Sequence, residues 1–154
     1  MKLSTKGRYG LKAMFDLALF YGEQPISLSN IADRRNISLS YLEQLISQLK
    51  KAGVVKSIRG AQGGYILSDE PKNISVGQVL RALEQLAPVK CVTDDHDCDS
   101  SEFCVTRVIY QKILDSILET VDNITLQDMI DDYYNKREKG SIVTSIKLFE
   151  DKGV

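Results

Sequence analysis

The stretch Ile37–Leu67, ISLSYLEQLISQLKKAGVVKSIRGAQGGYIL, decides the fold. In its first half Leu42, Leu45, Ile46 and Leu49 recur at three- and four-residue spacings, which places them on one face of a helix. Ser40 and Glu43 have the spacing of a capping box, and Ser38 is a rival cap two residues earlier. Lys50 and Lys51 suit the last turn of such a helix, and Gly53 its stop. In the second half VVKSIR is a β-branched alternating run, GAQGG a glycine-rich turn, and YIL a second strand. That is a β-hairpin with Arg59 at its tip.

Upstream, GRYGLKAMFDLALFYGEQP predicts a first helix. Its inward face is read as Tyr9, Leu11, Met14, Phe15, Ala18, Leu19 and Tyr21, and Gly22 and Pro25 end it. A short second helix follows Ser27 through LSNIADRRN, with Leu28, Ile31 and Ala32 inward. Two helices joined across Asn36–Leu39 are the footprint of a helix-turn-helix, and the hairpin adds a wing.

Charge agrees with that reading. The net charge is −1, but residues 1–68 hold ten Lys/Arg against four Asp/Glu, and residues 69–154 hold ten against seventeen. The front is therefore +6 and suits a polyanion, while the back is −7. The start of the second helix of a helix-turn-helix enters the DNA major groove, where base edges are most distinguishable. Here it offers Ser38, Ser40, Tyr41, Glu43 and Gln44. Gln44 can make two hydrogen bonds to an adenine. Glu43 can accept from a cytosine amine and also repels phosphate, which makes it a rejecting element. Arg59 on a thin wing suits the minor groove. Lys2, Lys6, Arg8 and Lys56 are phosphate candidates. Taken singly, Gln44 and Arg59 also fit plain solvated surface; their coincidence with the basic front half favours DNA. GAQGG lacks the Lys-Ser/Thr of a phosphate-binding P-loop.

Behind the wing, Ser75 caps VGQVLRALEQL, which Pro88 closes. A helix of about five turns is expected over SEFCVTRVIYQKILDSILETVDN. Val105, Val108, Ile109, Ile113, Ile117 and Val121 line one side of it, broadened by Leu114 and Leu118. That is more apolar surface than one copy can bury, so a twofold homodimer is expected, with two reading helices for a pseudo-palindromic operator. Thr125 caps LQDMIDDYYNK, a shorter last helix, and EKGSIVTSIKLFEDKGV is left unplaced. The fold expected is mainly α with a small β-hairpin wing. Residues 1–88 form a winged helix-turn-helix with a linking helix, 89–104 a cysteine-bearing loop, and 105–154 the dimerisation helix, last helix and tail.

All three cysteines fall in one acidic segment, CVTDDHDCDSSEFC, as Cys91-x6-Cys98-x5-Cys104. The N-terminus has lysines but no uninterrupted apolar segment after them, and no run approaches the roughly 18 residues of a membrane span. The chain is thus expected in the cytoplasm, where structural disulfides are uncommon and an odd cysteine count points to metal, redox chemistry or plain burial. Thiolates are the standard iron–sulfur ligands and also suit zinc. Cys104, near a helix N-terminus, would be helped to ionise. With one histidine, no CxxC on a βαβ pattern and no nucleotide loop, an enzyme is not expected.

MKLSTKGRYGLKAM, the stretch from Ile37 through the wing, ISVGQVL, the three cysteines and DNITLQDM together resemble the iron–sulfur cluster regulator family over about residues 1–130. Cysteine-metabolism regulators and nitric-oxide sensors are its cousins. The resemblance implies a homodimeric winged-helix transcription regulator in bacterial cytoplasm. Ser38, Ser40, Tyr41, Glu43 and Gln44 would face operator bases or phosphates, Arg59 the minor groove, and Tyr9 the backbone. Cys91, Cys98 and Cys104 would hold an iron–sulfur cluster, most often [2Fe-2S], received from cluster-assembly proteins, and promoters of cluster-assembly genes would be among those controlled. Two departures stand out. The first cysteine gap is six residues rather than five. The second is Arg107, in the place of a histidine ligand; nitric-oxide sensors instead lend a carboxylate from the partner chain, at the position of Arg8, which is no carboxylate either. His96, Lys90, an Asp or Glu of the loop, Arg107 itself, or an outside thiol or water are the candidates for a fourth ligand. The alternative is a cluster-free regulator of the same fold, controlled by zinc, by thiol oxidation or by a partner enzyme of cysteine metabolism.

Overall fold

The computed structural model describes residues 2–93 and 104–139. Cys98, His96 and the tail from residue 140 onward lie outside the described residues. The first helix, α1, spans Thr5–Leu19, and the Ser4 hydroxyl accepts from the Gly7 N–H at 3.2 Å. Its buried face differs from the one expected. Ala13, Met14, Leu17 and Ala18 are buried together with Gly7, Gly10 and Asp16, whereas Tyr9, Leu11, Phe15 and Leu19 are half-buried. The closest approach of a neighbouring helix falls on the small-residue side, so the larger side chains splay to the flanks. Tyr21, beyond the helix end, is exposed.

Helix α2, Leu28–Arg35, is capped by Ser27 and buries Leu28, Ile31 and Ala32 as expected. It ends at Asn36, whose φ of 52° is left-handed, a conformation asparagine tolerates better than most residues. Helix α3, Leu39–Lys51, buries Leu42, Leu45, Ile46 and Leu49. Its cap is Ser38, not Ser40: the Ser38 hydroxyl accepts from the Tyr41 N–H at 3.2 Å. Extended backbone at Ser38 lets the side chain reach back to the first free N–H groups, whereas Ser40 is already helical.

Strands β1, Val55–Ile58, and β2, Gly64–Leu67, pair antiparallel with Val55 opposite Leu67 and Ile58 opposite Gly64. Gly60 turns the hairpin at a φ of 120°, closed to most side chains. Ile26 adds a bridge to Tyr65, tying the wing to the loop before α2; the sequence reading did not include it.

Helix α4, Val76–Leu83, begins with a capping box in which Ser75 and Gln78 satisfy each other's backbone N–H. It stops three residues short of the expected Leu86. Glu84 turns extended there because its carboxylate is held by the backbone of Ser4, 80 residues away. Helix α5, Val105–Asn123, starts with Cys104 in the cap position, and α6, Leu126–Glu138, starts with a Thr125/Asp128 capping box. Ser75 and Thr125 pair as an isolated bridge, so the two capping boxes stand back to back. Helix α1 packs against α4 and α6, and α4 packs against α5. One cluster, from Ala13 of α1 through Leu49 and Val55 to Leu126 of α6, forms the core.

Candidate nucleic-acid interface and thiol segment

The face expected to read DNA begins at the cap of α3. Ser38 and Ser40 are exposed, as are Glu43 and Gln44 one turn on. Tyr41 is half-buried, meeting the Tyr9 ring edge-on at 6.3 Å between centroids and 87° between planes. The Lys12 ammonium lies 5.2 Å from the centre of the Tyr9 ring. The structure thus joins two aromatic residues and a cation from different helices at the start of α3. Lys12 was missed by sequence reasoning, since one lysine on a helix carries no signal of the ring it meets. Leu39, 43% exposed at the first position of α3, was missed as well. An exposed leucine there offers an apolar contact of the kind thymine methyl groups accept.

Lys6 and Arg8 are exposed near the start of α1, Lys56 is exposed on β1, and Arg59 stands exposed directly after β1 at the hairpin tip. Lys50 donates to the Ser57 hydroxyl at 2.7 Å, linking the end of α3 to the wing. Lys2 lines a cavity with Leu3, residues of the α4–turn connection, and Ile117 and Val121 of α5.

Beneath this face lies Asp16, the one buried charged or polar residue among those described, at 0% exposure. It accepts from Arg35 Nε at 2.8 Å and from Arg35 Nη2. Burial pushes the Asp16 carboxyl up, and the Arg35 bonds and charge oppose that rise. Because Arg35 is the last residue of α2, this pair fixes the turn that presents α3. The Arg34 guanidinium lies over the Phe20 ring at 5.3 Å.

Cys91 sits half-buried in a single 3-10 turn, Lys90–Val92, that packs against α5. Cys104 occupies the cap position of the same helix. The Thr106 hydroxyl, 3.1 Å from Cys104 Sγ, and then the Arg107 backbone N–H hold the Cys104 thiol below the usual range, toward thiolate. Lys90 is exposed, and Arg107 is half-buried one turn into α5, on the side of Cys104 by helical spacing. Among the described residues no three His, Cys, Asp or Glu side chains converge on a metal-sized site.

The outer side of α5 is bare. Val105 is 79% exposed, Val108 55% and Ile109 51%, with Ile113 also exposed. Leu114, on the opposite side, is buried. No helix among the described residues is long and apolar enough to cross a membrane.

A family model described as "Rrf2: Iron-dependent Transcriptional regulator" matches residues 3–132. The chain is similar to IscR of T. potens, with a TM-score of 0.73 and 47% identity over 94% of this chain and 93% of that one. It is also similar to CymR (YrzC), the global cysteine regulator of B. subtilis, with a TM-score of 0.69 and 45% identity over 84% of this chain and 95% of that one. The HTH-type transcriptional regulator IscR of Pectobacterium atrosepticum is 39% identical over 130 residues, 84% of this chain and 79% of the relative.

Proposed function

Because the chain belongs to the Rrf2 family of transcriptional regulators, of the type named IscR and CymR, we propose that it is a homodimeric, sequence-specific DNA-binding regulator whose thiol segment carries an iron–sulfur cluster. Ser38, Ser40, Tyr41, Glu43 and Gln44 read the major groove. Arg59 enters the minor groove, and Tyr9, Lys6, Arg8 and Lys56 position the phosphates. The exposed stripe of α5 packs against its twofold mate, giving two reading helices for an operator with half-sites one helical turn apart. Cluster-assembly genes are the expected targets, and cluster-assembly proteins the expected donors.

The observation that carries the sensing half is the thiol segment itself. Three cysteines lie within fourteen residues. The two that are described stand on packed segments, and one of them is biased toward thiolate. That donor chemistry fits a [2Fe-2S] cluster, whose irons take thiolate sulfur. When bound, the group supplies a charge and a covalent tie between Cys91, Cys98 and Cys104 that vanish when it is lost. The fourth ligand is sought among His96, Lys90 and Arg107 by single replacement.

Anaerobic purification with iron, acid-labile sulfide and visible spectra, followed by operator binding with and without the cluster, tests this reading. Iron and sulfide in equal amounts, with a change in operator affinity on cluster loss, are expected. Colourless protein holding zinc without sulfide, or operator binding unaltered by replacing all three cysteines, overturns it. The likeness to CymR supports a second reading, in which the same fold is controlled by thiol oxidation, zinc or a partner enzyme of cysteine metabolism. Operator affinity that follows a disulfide or an added protein, in iron-free material, marks that outcome.

A further inference from the structure

The start of α1 meets the end of α4 at Glu84, seven residues before Cys91. Glu84 Oε2 accepts from the Ser4 N–H at 3.0 Å, and Ser4 is the residue whose hydroxyl caps α1. A carboxylate there is favoured by the positive end of the helix dipole. Gly7 faces the same group: a Cβ at that position would overlap Glu84 Oε1, and one at Gly10 would overlap Leu83. The start of α1 is thus shaped to receive the end of α4. Beyond Glu84 the chain passes through Gln85, Leu86, Ala87 and Pro88, which line a cavity of ≈ 480 Å³ shared with Lys2 and Leu3. It then enters the turn bearing Cys91. The first part of the connection, Glu84–Pro88, thus borders a cavity, which leaves it room to shift before it reaches the turn packed on α5.

We propose that Glu84 is a positioning residue that couples the thiol segment to the DNA-contacting start of α1. The contact is poised to open. Oε2 has its donor, but Oε1 is buried with no hydrogen-bond partner among the described residues. Release would cost the Ser4 bond and restore hydration to Oε1, so the closed and open states differ little. A change of state at Cys91 pulls on the 85–90 connection, withdraws Glu84, and loosens the turn that carries Lys6, Arg8 and Tyr9. This inference rests on the reading that the thiol segment regulates DNA binding.

The experiment uses the full chain with Cys98→Ser and Cys104→Ser, leaving Cys91 as the one thiol for iodoacetamide. Hydrogen exchange at the amides of residues 4–8 is compared before and after alkylation, with Glu84 intact, as Glu84→Gln and as Glu84→Ala. With Glu84, alkylation should speed exchange at these amides several-fold. Gln, which keeps an acceptor for the Ser4 N–H, should retain much of that response. Ala should show fast exchange throughout and no further change. An equal response with Ala, or none with Glu84 intact, overturns the coupling. Operator affinity of the wild-type chain with and without its cluster is measured alongside. Loss of that dependence sinks the sensing reading, whereas its survival beside an uncoupled Glu84 sinks the present inference alone.

Discussion

Glu43 and Gln44 sit side by side on the open side of α3, and their chemistry differs in what it does to a bound duplex. Gln44 can give and take hydrogen bonds at a base edge, so Gln44→Ala should weaken the preferred operator by roughly 1–3 kcal/mol per lost base contact while leaving scrambled DNA unaffected. Fluorescence anisotropy with both duplexes measures the difference, and intact selectivity would mean that α3 does not read bases there. Lys6 is an exposed cation at the start of α1. Lys6→Ala should weaken all sequences alike and lower the slope of log affinity against log salt by about one. A salt titration on specific and nonspecific duplexes checks it. Asp16 lies at the other extreme of burial. Breaking a buried pair costs roughly 3–5 kcal/mol, and Asp16→Ala belongs at the lower end because the Arg35 side chain, 24% exposed, can rehydrate. Urea unfolding gives the value.

Among the elements, those set by local periodicity were legible in the sequence. The α3 stripe, the short α2 and the hairpin all fall where residue spacing puts them. What escaped depends on partners far along the chain. Helix α4 stops at Leu83 because Ser4 takes hold of Glu84, and no feature of VGQVLRALEQL carries that information. The Ile26–Tyr65 bridge joins residues that only the tertiary fold makes neighbours. Met14 and Ala18 of α1 are buried as expected, but the rest of its buried face was misread for a related reason: glycine gives no apolar signal, yet Gly7 and Gly10 allow the closest approach of α4. Of the candidate site, the exposure of Ser38, Ser40, Glu43 and Gln44 was legible, but the Tyr9–Tyr41–Lys12 grouping was not. The helix starts at Ser27, Ser75 and Thr125 were read from their caps. At Thr125 the Asp128 carboxyl is held below its ordinary value by the Thr125 backbone N–H and then the hydroxyl. Its folded pKa being depressed, the stabilisation it gives is complete above the usual aspartate value near 3.9 and fades as pH falls through the lower folded value. Urea midpoints at pH 6 and pH 3 should therefore drop further for the wild type than for Asp128→Ala. Thr125→Ala should cost about 1 kcal/mol at neutral pH.

At the scale of the molecule, the bare side of α5 predicts its own test. A charge placed at Ile109, 51% exposed in the single chain, should be tolerated by the protomer and not by a twofold pair. Ile109→Glu is expected to sediment as a monomer with unchanged helix content and to bind a two-half-site operator far more weakly than the wild type. A dimer that survives the change would move the interface elsewhere. The return of the chain matters as well. Helix α6, last of the described elements, lies against α1, with Phe15 and Tyr133 meeting at 5.5 Å between ring centres and Leu126 wholly enclosed in the same core as Met14 and Leu49. The two ends of the chain are consequently not interchangeable parts. A chimera that grafts the first 88 residues onto a relative's effector half would inherit a foreign α6 against its own α1, and a recombination point that works has to let both ends of the chain travel together.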